Sequence, residues 1–161
     1  PRELPYKDAV YNVSRVGLLP AAMNPVVLAQ AAQQGKSGVA AAPAQDADTC
    51  ACSGGTRESA FADELAAAQA QSNALLFTAT QDKLHQPYRG ALMPPSTELI
   101  ALFRSKGYAA AVSGAGPCVL VLHYGNAREA IDQIASEQLA SGHWRVLHLP
   151  INTAGVEIER R

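Results

Sequence analysis

The chain has 161 residues, 48% of them hydrophobic and 17% charged, with a formal net charge of -1. That is enough for one domain with a hydrophobic core, and it lacks the basic excess that nucleic acid or an anionic membrane surface demands. No apolar run reaches the length of a membrane span, and PRELPYKDAV at the start resembles neither a signal nor a transit peptide.

The first expected element is a helix from Pro5 to about Ala32, with Val10, Val13, Val16, Leu18 and Leu19 near helical spacing. Pro20 and Pro25 are expected to kink or split it. Residues 35–56 (GKSGVAAAPAQDADTCACSGGT is the run from Gly35) offer almost nothing large and apolar to bury, so they read as a flexible low-complexity insertion. A helix from about Glu58 to Thr80 follows, with Phe61, Leu65, Leu75, Leu76 and Phe77 as its apolar stripe, and then an irregular Asp82–Arg89. Pro94-Pro95-Ser96-Thr97-Glu98 opens another helix with a capping hydroxyl and an acidic first turn, and Lys106-Gly107 closes it. Tyr108–Val112 and Cys118–His123 are β-type runs around a glycine loop. Asn126 caps a helix to about Ala140, with Ala127, Ala130, Ile131, Ile134 and Leu139 inward. Arg145–Leu149 and Gly155–Glu159 are the last two strands. The expected fold class is α+β: an antiparallel sheet of about four strands with helices on one face.

Ser113-Gly114-Ala115-Gly116-Pro117 is the first candidate site. Glycines allow φ > 0 and let successive N–H groups form a nest around an anion, with the Ser113 hydroxyl as a further donor. A tight strand connection explains the same glycines, and on spacing alone that plainer reading stands ahead. Arg89, on a loop held near Pro87, suits bidentate capture of a carboxylate or phosphate, although on its own the plainer reading, a solvated surface arginine, stands ahead. Cys50, Cys52 and Cys118 form no disulfide framework, and their odd count fits a reducing cytoplasm. Cys50-Ala51-Cys52 is too tight for a zinc pair, and His85, His123, His143 and His148 are scattered, so no metal site is expected. Cys118, at the start of an apolar strand, reads as a buried small hydrophobe. No Ser/His/Asp order suggests a hydrolytic triad.

Three stretches together carry more: DAVYNVSRVGLL (8–19), DKLHQPYRGALMP (82–94) and AAVSGAGPCVLVL (110–122). In order and style they resemble the carboxy-terminal half of the actinobacterial homoserine kinases, members of the GHMP kinase superfamily. The resemblance runs from about Pro1 to Val156, apart from residues 35–56. It implies that Ser113, Gly114, Ala115 and Gly116 form the superfamily's third motif, on the phosphate side of the cleft. It also implies that Arg89 holds the substrate carboxylate, the substrate being L-homoserine. The superfamily's second motif, a P-x-x-x-G-L-G-S-S-A loop around ATP, is absent from this sequence. The implied arrangement therefore has an amino-terminal ATP-binding domain outside residues 1–161, holding most of the ATP and Mg2+ contacts and the catalytic residues. The start at Pro1, without a methionine, fits part of a longer cytoplasmic polypeptide. Under this reading the chain alone does not turn over substrate, and the apolar surface meant for the other domain favours self-association as a homodimer. Two other readings stay open here: a GHMP kinase for another small alcohol, and a non-catalytic α+β binding module.

Overall fold

A computed structural model describes residues 3–24, 57–149 and 158. The chain divides into two units, Pro1–Gly125 and Asn126–Arg161.

In the first unit, Pro5 precedes helix α1 (Tyr6–Val16), and its carbonyl accepts the N–H groups of Asp8 and Ala9. The expected split falls at Gly17-Leu18. Pro20 then sits in the first turn of a short α2 (Leu19–Ala22), where its missing N–H costs nothing. Tyr6, Val10, Val13 and Val16 are exposed, so the helical spacing of those valines marks no buried stripe among the described residues. Residues 25–32 and 35–56, with Cys50 and Cys52, lie outside the described residues.

Helix α3 spans Arg57–Ala79. Its buried positions are Ala68, Ser72, Leu76 and Ala79, one face at helical spacing. Of the expected stripe, Leu76 is buried, Leu75 and Phe77 are half-buried against the core, and Leu65 is exposed. Ala22 of α2, Leu76 and Ala109 form a tight core cluster, bordered by Leu19, Leu122 and Tyr124. Small side chains on α3 let α2 approach closely.

After residues 80–85 come a helical turn, α4 (Gln86–Arg89), a 3-10 turn (Gly90–Leu92) and helix α5 (Pro94–Ser105). Leu99, Ile100 and Phe103 of α5 are buried. Ser96 is buried too, but it caps nothing: its hydroxyl donates to the Pro117 carbonyl at 2.6 Å, and the first turn holds no acid. Helix α5 ends as expected, with Gly107 at φ 86° and the Tyr108 N–H returning to the Phe103 carbonyl.

Strands β1 (Ala109–Val112) and β2 (Val119–Leu122) pair antiparallel, with Ala109 opposite Leu122 and Val112 opposite Val119. Asn73 of α3 closes the far end of β2, accepting the Tyr124 N–H at 2.8 Å and donating to its carbonyl at 3.1 Å. The α+β class stands, but the expected sheet of about four strands is corrected to two strands among the described residues. Residues 145–149 carry strand-type composition without a ladder partner among the described residues, and Leu147 and Leu149 are exposed. Alternation reports fitness for a pleated surface, not the presence of a neighbour to pair with. Residues 155–157 and 159 lie outside the described residues, and Ile158 belongs to no element.

In the second unit, α6 (Arg128–Ile134) and α7 (Ser136–Ala140) replace the one expected helix. Ala127, not Asn126, occupies the N-cap, and Ala135 lies between the two pieces. Ala127 and Ala135 are buried, Ile131, Ile134 and Leu139 half-buried, and Ala130 exposed. His148 reaches Asp132 of α6 at 3.0 Å.

Candidate active site

The segment leaving α3 is organised by one carboxylate. Asp82 accepts the backbone N–H groups of Leu84 at 2.7 Å, His85 at 3.1 Å and Gln86 at 2.9 Å. It thereby satisfies donors that a short helical turn leaves unpaired, while Pro87 in that turn needs no partner for its nitrogen. Asn12 of α1 adds a side-chain hydrogen bond to Asp82 at 2.6 Å. Partial burial works to raise the Asp82 pKa. The hydrogen bonds from Asn12, Gln86, Leu84 and His85 outweigh it and hold the carboxyl below its ordinary 3.8.

The turn so capped ends at Arg89, which is exposed, with its backbone N–H on the His85 carbonyl at 2.9 Å. Among the described residues its guanidinium has no hydrogen-bond or ion-pair partner. Arg89 therefore differs from Arg104, whose guanidinium donates to the carbonyls of Phe77 at 2.7 Å and Ala110 at 3.0 Å and to Thr80 Oγ1 at 3.1 Å. Burial draws the Arg104 pKa down, with Tyr11 opposing.

The second candidate is the glycine loop. Two of its N–H groups close the loop on itself: Ser113 donates to the Cys118 carbonyl and Gly116 to the Ser113 carbonyl. The N–H groups of Gly114 and Ala115 and the Ser113 hydroxyl have no partner among the described residues. The expected nest of successive donors is thus narrowed to two N–H groups and one hydroxyl. Gly114 and Gly116 both take positive φ, 61° and 88°. At Gly116 a Cβ would also fall 2.6 Å from Met93 Sδ, so a close approach adds to the conformational need for glycine.

Arg89 and Gly114 line one open cavity of about 280 Å³, together with Asp82, His85, Gln86, Met93 and Val112. Asp82 and Gln86 also border a second cavity of about 350 Å³, which Tyr11, Lys83 and Arg104 line as well. Cys118, just before β2, is exposed rather than the buried small hydrophobe expected. No group of three or more His, Cys, Asp or Glu side chains among the described residues is placed to hold a metal ion. Asp82 lines the cavity with its oxygens already occupied by hydrogen bonds, so this wall does not fit a Mg2+ ligand set. None of the described helices is long and apolar enough to cross a membrane.

Comparison with known proteins decides the family. The sequence profile of the GHMP kinases C terminal family matches residues 59–140, about half of the chain and all of the cavity's lining. The chain belongs to that family. Similar proteins include the homoserine kinases of Clavibacter michiganensis, 37% identical over 161 residues, and of Leifsonia xyli, 37% identical over 162. Both alignments cover 99% of this chain but only 36% and 35% of those relatives, so the chain spans about a third of their length. The homoserine kinase of Corynebacterium aurimucosum is 45% identical over 86 residues, 53% of this chain and 26% of that protein.

Sequence reading singled out Arg89 and the loop, and one cavity brings Arg89 and Gly114 together. It missed Asp82 and Asn12. For Asp82 a signal existed: an aspartate a few residues before a proline in a helical first turn is a capping pattern. For Asn12 none existed, because its partner lies 70 residues away.

Proposed function

We propose that this chain is the carboxy-terminal part of a cytoplasmic homoserine kinase. That enzyme moves the γ-phosphoryl group of ATP to the side-chain hydroxyl of L-homoserine, yielding O-phospho-L-homoserine, ADP and a proton. The observation that carries this reading is the unpaired Arg89 guanidinium sharing a cavity with the glycine loop. Arg89 binds the substrate carboxylate through its planar pair of donors. The Gly114 and Ala115 N–H groups and the Ser113 hydroxyl serve phosphate oxygens. Most contacts to ATP and Mg2+ belong to a further, amino-terminal domain, in keeping with the third of the relatives' length that this chain spans. Phosphoryl transfer depends on positioning and charge stabilisation, so one wall without the other is inactive.

Titration of the isotopically labelled chain with L-homoserine tests the substrate side. Shifts should centre on Arg89, Met93 and Gly114, and Arg89→Lys should weaken binding about tenfold by removing the bidentate geometry. Equal affinity for the two proteins would defeat the assignment of Arg89. Incubated with ATP, Mg2+ and L-homoserine, the chain alone should release no O-phospho-L-homoserine, and turnover would defeat the two-wall reading. Stronger binding of another small alcohol, such as mevalonate, would move the substrate within the superfamily.

A further inference from the structure

Asp82 holds the turn that ends at Arg89, and α1 holds Asp82. Asn12 does so with both ends of its amide: Nδ2 donates to Asp82 Oδ1 at 2.6 Å, and Oδ1 accepts the Lys83 N–H at 2.9 Å. This two-way pairing fixes the amide's orientation, since a flipped amide would set its oxygen against a carboxylate oxygen. The residue beside it reinforces the grip. The Tyr11 hydroxyl donates to Gln81 Oε1, and its ring lies under Lys83 Nζ at 4.0 Å and Arg15 Cζ at 4.4 Å. Apart from the Arg15 stack, which is internal to α1, these contacts reach residues 81–83, and no described contact runs from α1 to Arg89 itself.

We propose that Asn12 is a positioning residue for Arg89. By fixing the Asp82 carboxylate, it sets the angle at which the 85–89 turn presents the guanidinium to the cavity. This rests on reading Arg89 as the ligand of the substrate carboxylate. Without Asn12, Asp82 keeps its three backbone donors, so the turn persists but its cap gains freedom. The effect therefore falls on orientation, to which binding and transfer geometry are sensitive.

Asn12→Asp tests this, because it turns the amide contact into two opposed carboxylates at similar size. In the labelled chain, amide exchange at Leu84, His85, Gln86 and Arg89 should quicken about tenfold while exchange in α5 and β1 stays unchanged, and L-homoserine affinity should fall about tenfold. Asn12→Ala, which removes the contact without adding a charge, should move both readouts the same way by a smaller factor. Unaltered Arg89 exchange, unaltered affinity, or no effect of Asn12→Ala on either would each overturn the proposal. The wild-type chain and Arg89→Ala keep the two readings apart. If neither binds L-homoserine, the reading of Arg89 itself has failed, with the proposal that rests on it. If wild type binds and Arg89→Ala does not, the Asn12 variants judge the positioning role alone.

Discussion

Gly114 and Gly116 stand two residues apart and look interchangeable in the sequence, yet they carry different burdens. Both need positive φ, but a Cβ at Gly114 meets nothing within 4 Å, while one at Gly116 meets Met93 Sδ. Gly114→Ala should cost about 1 kcal/mol of stability and Gly116→Ala about 2–3 kcal/mol. Chemical denaturation of the two variants checks this, and equal costs would refute the steric part. Removing the Met93 side chain as well should narrow the gap. The sequence revealed that glycine was needed here, because a Gly-x-Gly between two apolar runs announces special backbone. It did not reveal which glycine also makes room for a side chain 23 positions upstream, since that depends on how α5 lies against the loop.

Among elements, the connections that matter run from side chain to backbone. Arg104 joins the end of α3 to β1, and as a cation near α3's last carbonyls it also suits the helix dipole. Arg104→Met should destabilise the chain by about 2–4 kcal/mol in thermal melts, against less than about 0.5 kcal/mol for the exposed Arg128→Met. Similar costs would remove Arg104 from this role. Asp82 gives the same kind of connection a pH signature. Its folded pKa lies below the ordinary 3.8, so its stabilising contribution is complete above that value and is lost as pH falls through the lower folded one. Exchange protection of the Leu84–Gln86 amides should hold down to pH 3.8 and decline only below it. Loss of protection well above that value would show that Asp82 does not control the turn. Elements with strong punctuation were legible in advance: α5, with Pro94 before it and Gly107 after it, is one. The core face of α3 was not, because Ala68, Ser72 and Ala79 are small and send no hydrophobic signal, while the conspicuous Leu65 is exposed.

At the scale of the whole molecule, the α+β class and the pairing of β1 with β2 followed from apolar runs on either side of a turn. The number of strands did not follow, because a strand needs a partner and Arg145–Leu149 has none among the described residues. The cavity was half legible: Arg89 and the loop were each recognisable, but only the fold shows that Asp82 and Asn12 stand behind them. Sequence separation also bears on the order in which the chain assembles. Arg104 meets the Ala110 carbonyl across 6 residues and Ser96 meets Pro117 across 21, while Asn12 and Asp82 close a ring of 70. Closing the largest ring carries the greatest entropic penalty, so the α1 clasp forms after the α5–β1–β2 core. Kinetically, Asn12→Ala should steepen nothing in the refolding limb of a chevron and raise the unfolding rate alone, whereas Ser96→Ala should slow refolding. The side of the cavity that orients Arg89 is thus the last to arrive and the first to let go.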